Sequence, residues 1–244
     1  MVTHLVAREF RLRYRQAVLG WIWAIAQPLA RFVVLAFLFT QVVKLDIAHY
    51  PAFLFSGLLS WSWFSSGLSS ATASAVERRD LLFRPGVPRV TVPVTSVLAD
   101  GLDLVAALPV LGLFLVAGPG LHLAILALPA VIAVQALLIL GLGLMLCSLH
   151  VYLRDTKLLV DTALVLGFYL TPVFYTAQSV PGRYRLLIDL NPMTHIVQAY
   201  RQVLVNGHLP TERSFMLTAV ASGAVFVIGL AVYHRLSPLF VDEL

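Results

Sequence analysis

Asp100 and Asp103 stand three residues apart inside a long apolar run at 92–117, and Arg31 stands inside another at 23–43. At 1.5 Å per helical residue, the two acids lie roughly 12–16 Å from the nearer end of their run, and Arg31 at a comparable depth. Ionisable groups surrounded by so much apolar chain are costly to keep charged and are ordinarily paired. Two chemistries are open to them. One is an ion pair, Arg31 with Asp100 or Asp103, that fixes the packing of two helices; the other is a proton relay. The ion pair is the simpler reading, because a relay needs further titrating partners.

Other chemistry lacks its residues. A phosphate-cradling loop needs Gly-Lys-[Ser/Thr], because its lysine must reach the phosphates from a glycine-rich turn. The only lysines, Lys44 and Lys157, follow Val43 and Thr156. No His-Glu-x-x-His, Cys-x-x-Cys, Gly-x-Ser-x-Gly or Asp-x-Asp pattern occurs, and the seven histidines are scattered. The single Cys147 can form no internal disulfide, and a zinc cluster is not expected. The sequence therefore predicts no catalytic residues, no metal and no cofactor in this chain.

The elements that must position the charged residues are apolar helices. Of 244 residues, 59% are hydrophobic and 12% charged, with a mean hydropathy of +0.88. Six apolar runs are read at 23–43, 52–75, 92–117, 121–149, 158–177 and 214–234. A helix needs about 20 apolar residues to cross a hydrocarbon core of ~30 Å, and barrel strands are far shorter. The expectation is an all-α membrane protein with six transmembrane helices, forming one membrane domain over 1–244. The longest stretch between runs, 178–213, is too short for a soluble domain.

Charge sets the orientation. With six spans, the two ends and the loops at 76–91 and 150–157 share a side that holds 11 of the 17 basic residues. The opposite side holds Lys44, Arg183, Arg185, Arg201 and Arg213. The positive-inside rule then predicts a multi-pass protein of the cytoplasmic membrane with both termini cytoplasmic. The pI of 9.7 follows from topology, and nucleic acid is not an expected partner. The arginine-rich opening is not expected to act as a secretory signal.

Residues 3–19 read as an amphipathic interfacial helix, with His4, Arg8, Arg11 and Arg15 on one side and Val6, Phe10, Tyr14 and Val18 on the other. The same charges could serve only as topogenic signals. Trp21 and Trp23 mark the interface, and Pro28 predicts a kink. Ser62, Ser66, Ser70 and Ser74 form a stripe suited to tight helix packing or, less economically, to a polar conduit. The loop 77–88 is charged at its start, then apolar at Leu81, Leu82 and Phe83, which predicts an exposed patch that docks a partner or dips into headgroups. Segment 178–205 contains two half-apolar stretches broken by Asn191-Pro192, which fits helices that re-enter the outer leaflet without crossing. Trp61, Phe64, Phe168, Tyr169 and Tyr175 supply aromatic faces that can stack on sugar rings, form a lipid belt or fill a core.

Several of these segments resemble, in order, one family: type-2 ABC exporter permeases for lipid-linked polysaccharides. The segments are Arg13-Tyr14-Arg15, Gly20-Trp21-Ile22-Trp23 and Gln27-Pro28; Val87-Pro88-Arg89, Pro93 and Asp103; Ser148-Leu149-His150-Val151-Tyr152-Leu153-Arg154-Asp155; Thr171-Pro172-Val173-Phe174-Tyr175; and Leu190-Asn191-Pro192-Met193. The resemblance implies a homodimer of six-span subunits, served by two separate ATPase subunits that bind the ATP and Mg. It implies a coupling helix over 77–88, with Glu77, Asp80, Leu81, Leu82, Phe83 and Arg84 facing the ATPase together with Arg154 and Asp155. It further implies a partly aromatic channel for O-antigen, teichoic acid, capsule or a related glycan on a lipid carrier, as in lipopolysaccharide biosynthesis. An exporter of drugs or small lipids with the same architecture is the alternative. Arg31 and the Pro85-Gly86 interruption depart from the family's pattern.

Overall fold

The computed structural model describes residues 22–44, 46–82 and 86–240, together with Val6. The interfacial helix expected at 3–19, with Arg8, Arg11 and Arg15, lies outside the described residues, as do Trp21, Phe83 and Arg84. All regular structure among the described residues is helical. The helices are α1 (Ile22–Phe37), α2 (Tyr50–Glu77), α3 (Arg79–Leu82), α4 (Thr91–Ala117), α5 (Leu128–Tyr152), α6 (Thr156–Leu170), α7 (Arg185–Asp189), α8 (Pro192–Leu204) and α9 (Arg213–Leu236). A π-helical turn, Leu38–Val42, continues α1, and Pro28 lies within α1 without ending it.

Among the described residues, four stretches are long and apolar enough to cross a membrane: Ile25–Val42, Thr91–Ala117, Leu123–Tyr152 and Arg213–Leu239. Helix α2 is equally long but richer in serine, and 20 of its 28 residues are buried. It is the central post of the bundle, packed against α1, α4, α5, α6 and α8. A helix surrounded by protein can carry polar side chains that a lipid-facing helix cannot. That explains why the most serine-rich run lies in the middle.

Close approach of α5 and α9 rests on glycine. A Cβ at Gly229 would sit 2.2 Å from the Gly141 carbonyl oxygen, and one at Gly141 would sit 2.6 Å from the backbone of Val225 and Phe226. Only hydrogen fits there. Ser74, in the predicted small-residue stripe, packs 3.5 Å from Cys147 Sγ on α5, whereas Ser62 and Ser66 face a cavity. The stripe thus divides between packing and a polar wall.

Two expected boundaries change. The run at 158–177 stops being helical at Leu170, because Thr171 turns extended ahead of Pro172. The ring of a proline crowds a helical conformation in the residue before it. Beyond Glu77, which ends α2, the segment 77–88 is helical only over Arg79–Leu82 among its described residues. Leu82 is 2% exposed, so it does not belong to a solvent patch. It plugs a small core with Ala75, Val92, Cys147, Tyr233 and Phe240, and Leu81 packs half-buried against it. Anchoring is completed by Arg89, whose guanidinium donates to the Ser237 carbonyl while its own carbonyl accepts from Tyr233 Oη at 3.0 Å.

Segment 178–205 contains α7 and α8, broken at Leu190–Asn191. Asn191 caps α8 by accepting from Met193 N at 3.0 Å, with Pro192 in the first turn. Its Nδ2 also donates to Thr171 Oγ1 at 2.8 Å, which ties α8 to the end of α6.

Candidate functional site

The charged residues singled out in the sequence meet in one place. Arg31, Asp100 and Asp103 line a cavity of about 340 Å³ between α1, α2, α4 and α6, together with Gln27, Ser62, Ser66 and Asp161. Counting along their helices, these side chains lie about 8–22 Å in from the end of the bundle that carries Glu77 and Arg154. No ion pair joins Arg31 to Asp100 or Asp103 among the described residues. They share a polar space instead. Asp100 is 1% exposed, and its depth comes from the close packing of α4 on α2, where Trp63 Nε1 donates to the Val97 carbonyl at 3.2 Å.

Sequence reasoning missed a third acid of this cavity, Asp161. Asp161 accepts from Ser69 Oγ at 2.7 Å and pairs with Lys157, whose Nζ also donates to Ser69 at 2.8 Å. This three-residue clamp joins the start of α6 to the central helix. The signal was present: Lys157 and Asp161 are four apart at the head of an apolar run, a spacing at which helical side chains meet. A second buried polar contact, Gln135 Nε2 to the Ser60 carbonyl at 2.7 Å, ties α5 to α2 in the same way.

Above this polar space lies an aromatic one. A cleft of about 590 Å³ is lined by Trp61, Phe168, Tyr169 and Val34, and it shares Arg31, Ser65, Leu164 and Val165 with the polar cavity. Trp61 is 16 residues up α2 from Glu77, about 24 Å along the axis. The two adjoining spaces therefore grade from carboxylates and hydroxyls to aromatic rings. Trp61 and Phe168 have centroids 6.1 Å apart, and Phe168 continues to Phe174 at 5.6 Å, which in turn stacks on Phe39 at 5.0 Å. Tyr169 is largely exposed on the cleft wall. Two predicted members stand elsewhere. Phe64 is buried behind Trp61, at 5.4 Å between centroids, and Tyr175 lies beyond the rim, packed on Phe174 at 5.1 Å.

The far end of α6 is held by a residue that the sequence placed among ordinary loop charges. Arg201 is 6% exposed. Its guanidinium donates to the Pro172 and Val173 carbonyls at 2.7 and 2.6 Å and to the Phe53 carbonyl at 3.4 Å, and it stacks 3.5 Å from the Phe53 ring centroid. Gly57 makes the room: a Cβ there would be 2.9 Å from Arg201 Nη2 and from the Val173 oxygen. The usable signal was spacing, because Met193, Val197 and Arg201 recur every four residues on the buried stripe of α8.

At the end of the bundle nearest the polar cavity, Glu77, Asp80, Arg154 and Asp155 are exposed around the plug made by Leu82. Trp23 is 44% exposed at the start of α1. No group of three or more histidine, cysteine or acidic side chains could hold a metal ion among the described residues.

Known proteins resemble this chain over nearly its whole length. An O-antigen export system permease protein RfbA of Klebsiella pneumoniae is 28% identical over 97% of this chain and 92% of its own. The protein of the same description from Myxococcus xanthus is 30% identical over 100% of this chain and 95% of its own. A polysialic acid transport protein KpsM of Escherichia coli is 27% identical over 96% and 92%. The model of the ABC-2 type transporter family matches residues 2–205, which include the polar cavity, the aromatic cleft and the helix that carries Arg201, and the chain belongs to that family.

Proposed function

We propose that this chain is the transmembrane subunit of an ABC exporter that moves a lipid-linked polysaccharide across the cytoplasmic membrane, driven by a separate ATPase. The observation that carries the reading is the aromatic cleft stacked on a polar cavity along α1, α2 and α6. Aromatic faces suit sugar rings, and polar walls suit hydroxyls. Relatives described as O-antigen and polysialic acid transport proteins support the same substrate class. A drug or small-lipid exporter would not need a path that stays aromatic from Trp61 to Phe174.

In this reading α1, α2, α4, α5, α6 and α9 are six spans and both termini are cytoplasmic. Helix α6, with only 15 residues, is about 22 Å long and completes its crossing through the irregular segment after Leu170. Helices α7 and α8 re-enter the outer leaflet. The cleft opens sideways beside the exposed Val34 and Tyr169, so a second copy of the chain closes it into a channel. Two ATPase subunits dock on the end that presents Glu77, Asp80, Arg154 and Asp155. Because Leu82 and Arg89 lock α3 and the following loop to α4, α5 and α9, a push there moves a rigid block. The Lys157–Asp161–Ser69 clamp then carries the motion of α6 onto α2. ATP hydrolysis belongs to the partner, and this subunit has no catalytic role.

The test is co-purification with the candidate ATPase in nanodiscs, followed by an ATPase assay with and without the cell's own lipid-linked glycan. A two-plus-two complex stimulated by glycan is expected. Asp80→Arg, at an exposed position, should lower that stimulation severalfold without changing the thermal midpoint of the isolated subunit. Failure to bind any ATPase would overturn the reading.

A further inference from the structure

At the end of the bundle opposite α3, a cavity of about 860 Å³ lies between the segment at 176–178, α7, α8 and the first turns of α9. It shares no wall with the aromatic cleft. We propose that it binds a neutral, hydroxyl-rich ligand, a short stretch of saccharide, on the outer side of the membrane. The assignment of side and ligand rests on the polysaccharide reading above.

The wall chemistry selects the ligand class. Four carboxamides, Gln178, Gln198, Gln202 and Asn206, line the cavity, with Ser214 and Thr218. A carboxamide offers donors and an acceptor on one plane, the match for a sugar hydroxyl that does both. The charged side chains in the wall already have polar partners. Arg185 Nε lies 4.0 Å from Asp189 Oδ2, and Glu212 accepts from Gln202 Nε2 and from Ser214 Oγ at 3.4 Å. Arg201, at the floor, gives three of its five N–H donors to backbone carbonyls. A phosphate, carboxylate or ammonium entering this space would have to compete with these contacts for Arg185, Asp189, Arg201 or Glu212. A neutral sugar would not. The volume falls within the range of about 300–1,000 Å³ found for small-molecule sites.

Labelling of an engineered thiol tests the assignment. The native Cys147 is fully buried, so Gln202→Cys in the cavity wall and Leu209→Cys on the exposed loop nearby give two readable positions. The complex with its ATPase is placed in nanodiscs and exposed to a membrane-impermeant maleimide. Short neutral fragments of the host's own surface polysaccharide are the probe, with oligosialic acid as the acidic comparison. The neutral fragments should slow labelling of Gln202→Cys several-fold, leave Leu209→Cys unchanged, and lose that effect when Gln198→Ala is added. Equal slowing at both positions, no slowing, or protection by the acid alone would overturn the proposal. A parallel deletion separates this from the broader reading. If removing the chain leaves glycan export intact, the polysaccharide function itself fails. If export stops and is restored by the gene while the cavity thiol stays unprotected, only the saccharide site fails.

Discussion

Two arginines sit within the helical bundle, and their surroundings are opposite. Arg201 is caged: three backbone carbonyls and an aromatic ring take up its guanidinium, and Gly57 has been emptied of side chain to admit it. Arg31 stands on the shared wall of two cavities, with Asp100, Asp103 and Asp161 lining the same space. A guanidinium clamped on three fixed backbone carbonyls and an aromatic ring holds elements together, even where one edge of it borders a cavity. A charge facing open volume is available to whatever passes. The first ties the end of α6 to α2 and α8, and in the proposed reading the second lines the substrate path.

The comparison is broken first at Arg201. Arg201→Leu should lower the unfolding free energy by about 3–5 kcal/mol, because three carbonyls lose a charged donor at once and the end of α6 loses its tie to α8. Thermal unfolding of the purified protein, followed by loss of helical signal, measures it. A midpoint within a degree or two of the parent would mean that the cage is dispensable. Gly57→Ala probes the same cage from the other side. Its Cβ would press on Arg201 and on the Val173 carbonyl, and overpacking of this kind costs about 1–3 kcal/mol. The same melt should show a smaller drop than Arg201→Leu. In the double variant Gly57→Ala/Arg201→Leu, the added penalty of the alanine should shrink, because one of its two clashing partners has gone.

Most of the helical framework was legible in the sequence because apolar length is a one-dimensional signal. Five of the six apolar runs coincide with long helices to within a few residues, since each must bury or expose a continuous apolar surface. The sixth, at 158–177, was read too long, although Thr171-Pro172 was available as a stop signal. The polar site was half legible. Arg31, Asp100 and Asp103 stood out against apolar surroundings, whereas Asp161 merged with the charged loop before it. The cage of Arg201 was the hardest to see, because its partners are carbonyls, and every residue has one. Leu82 was misplaced for a related reason: a three-residue apolar stretch on a loop looks the same whether it faces solvent or plugs a core completed by distant residues such as Cys147, Tyr233 and Phe240.

The smallest expected effect on stability carries the sharpest test of the contrast. Arg31→Gln removes a charge from a cavity wall while keeping a polar side chain of similar reach. Among the described residues it breaks no ion pair to the two acids of α4, so the unfolding free energy should change by no more than about 0.5 kcal/mol. Glycan export should nonetheless fall, because the same residue borders both the polar cavity and the aromatic cleft. The pair of measurements, melting midpoint and export rate, places each arginine on one axis or the other. Arg201→Leu should lower both together, and Arg31→Gln should lower export alone. If Arg31→Gln also lost several kcal/mol, the cavity would be held together by that charge, and the division between a structural and a path-lining arginine would collapse. If neither quantity moved, the substrate path would have to be sought away from α1, along walls of α2 and α6 that Arg31 does not reach.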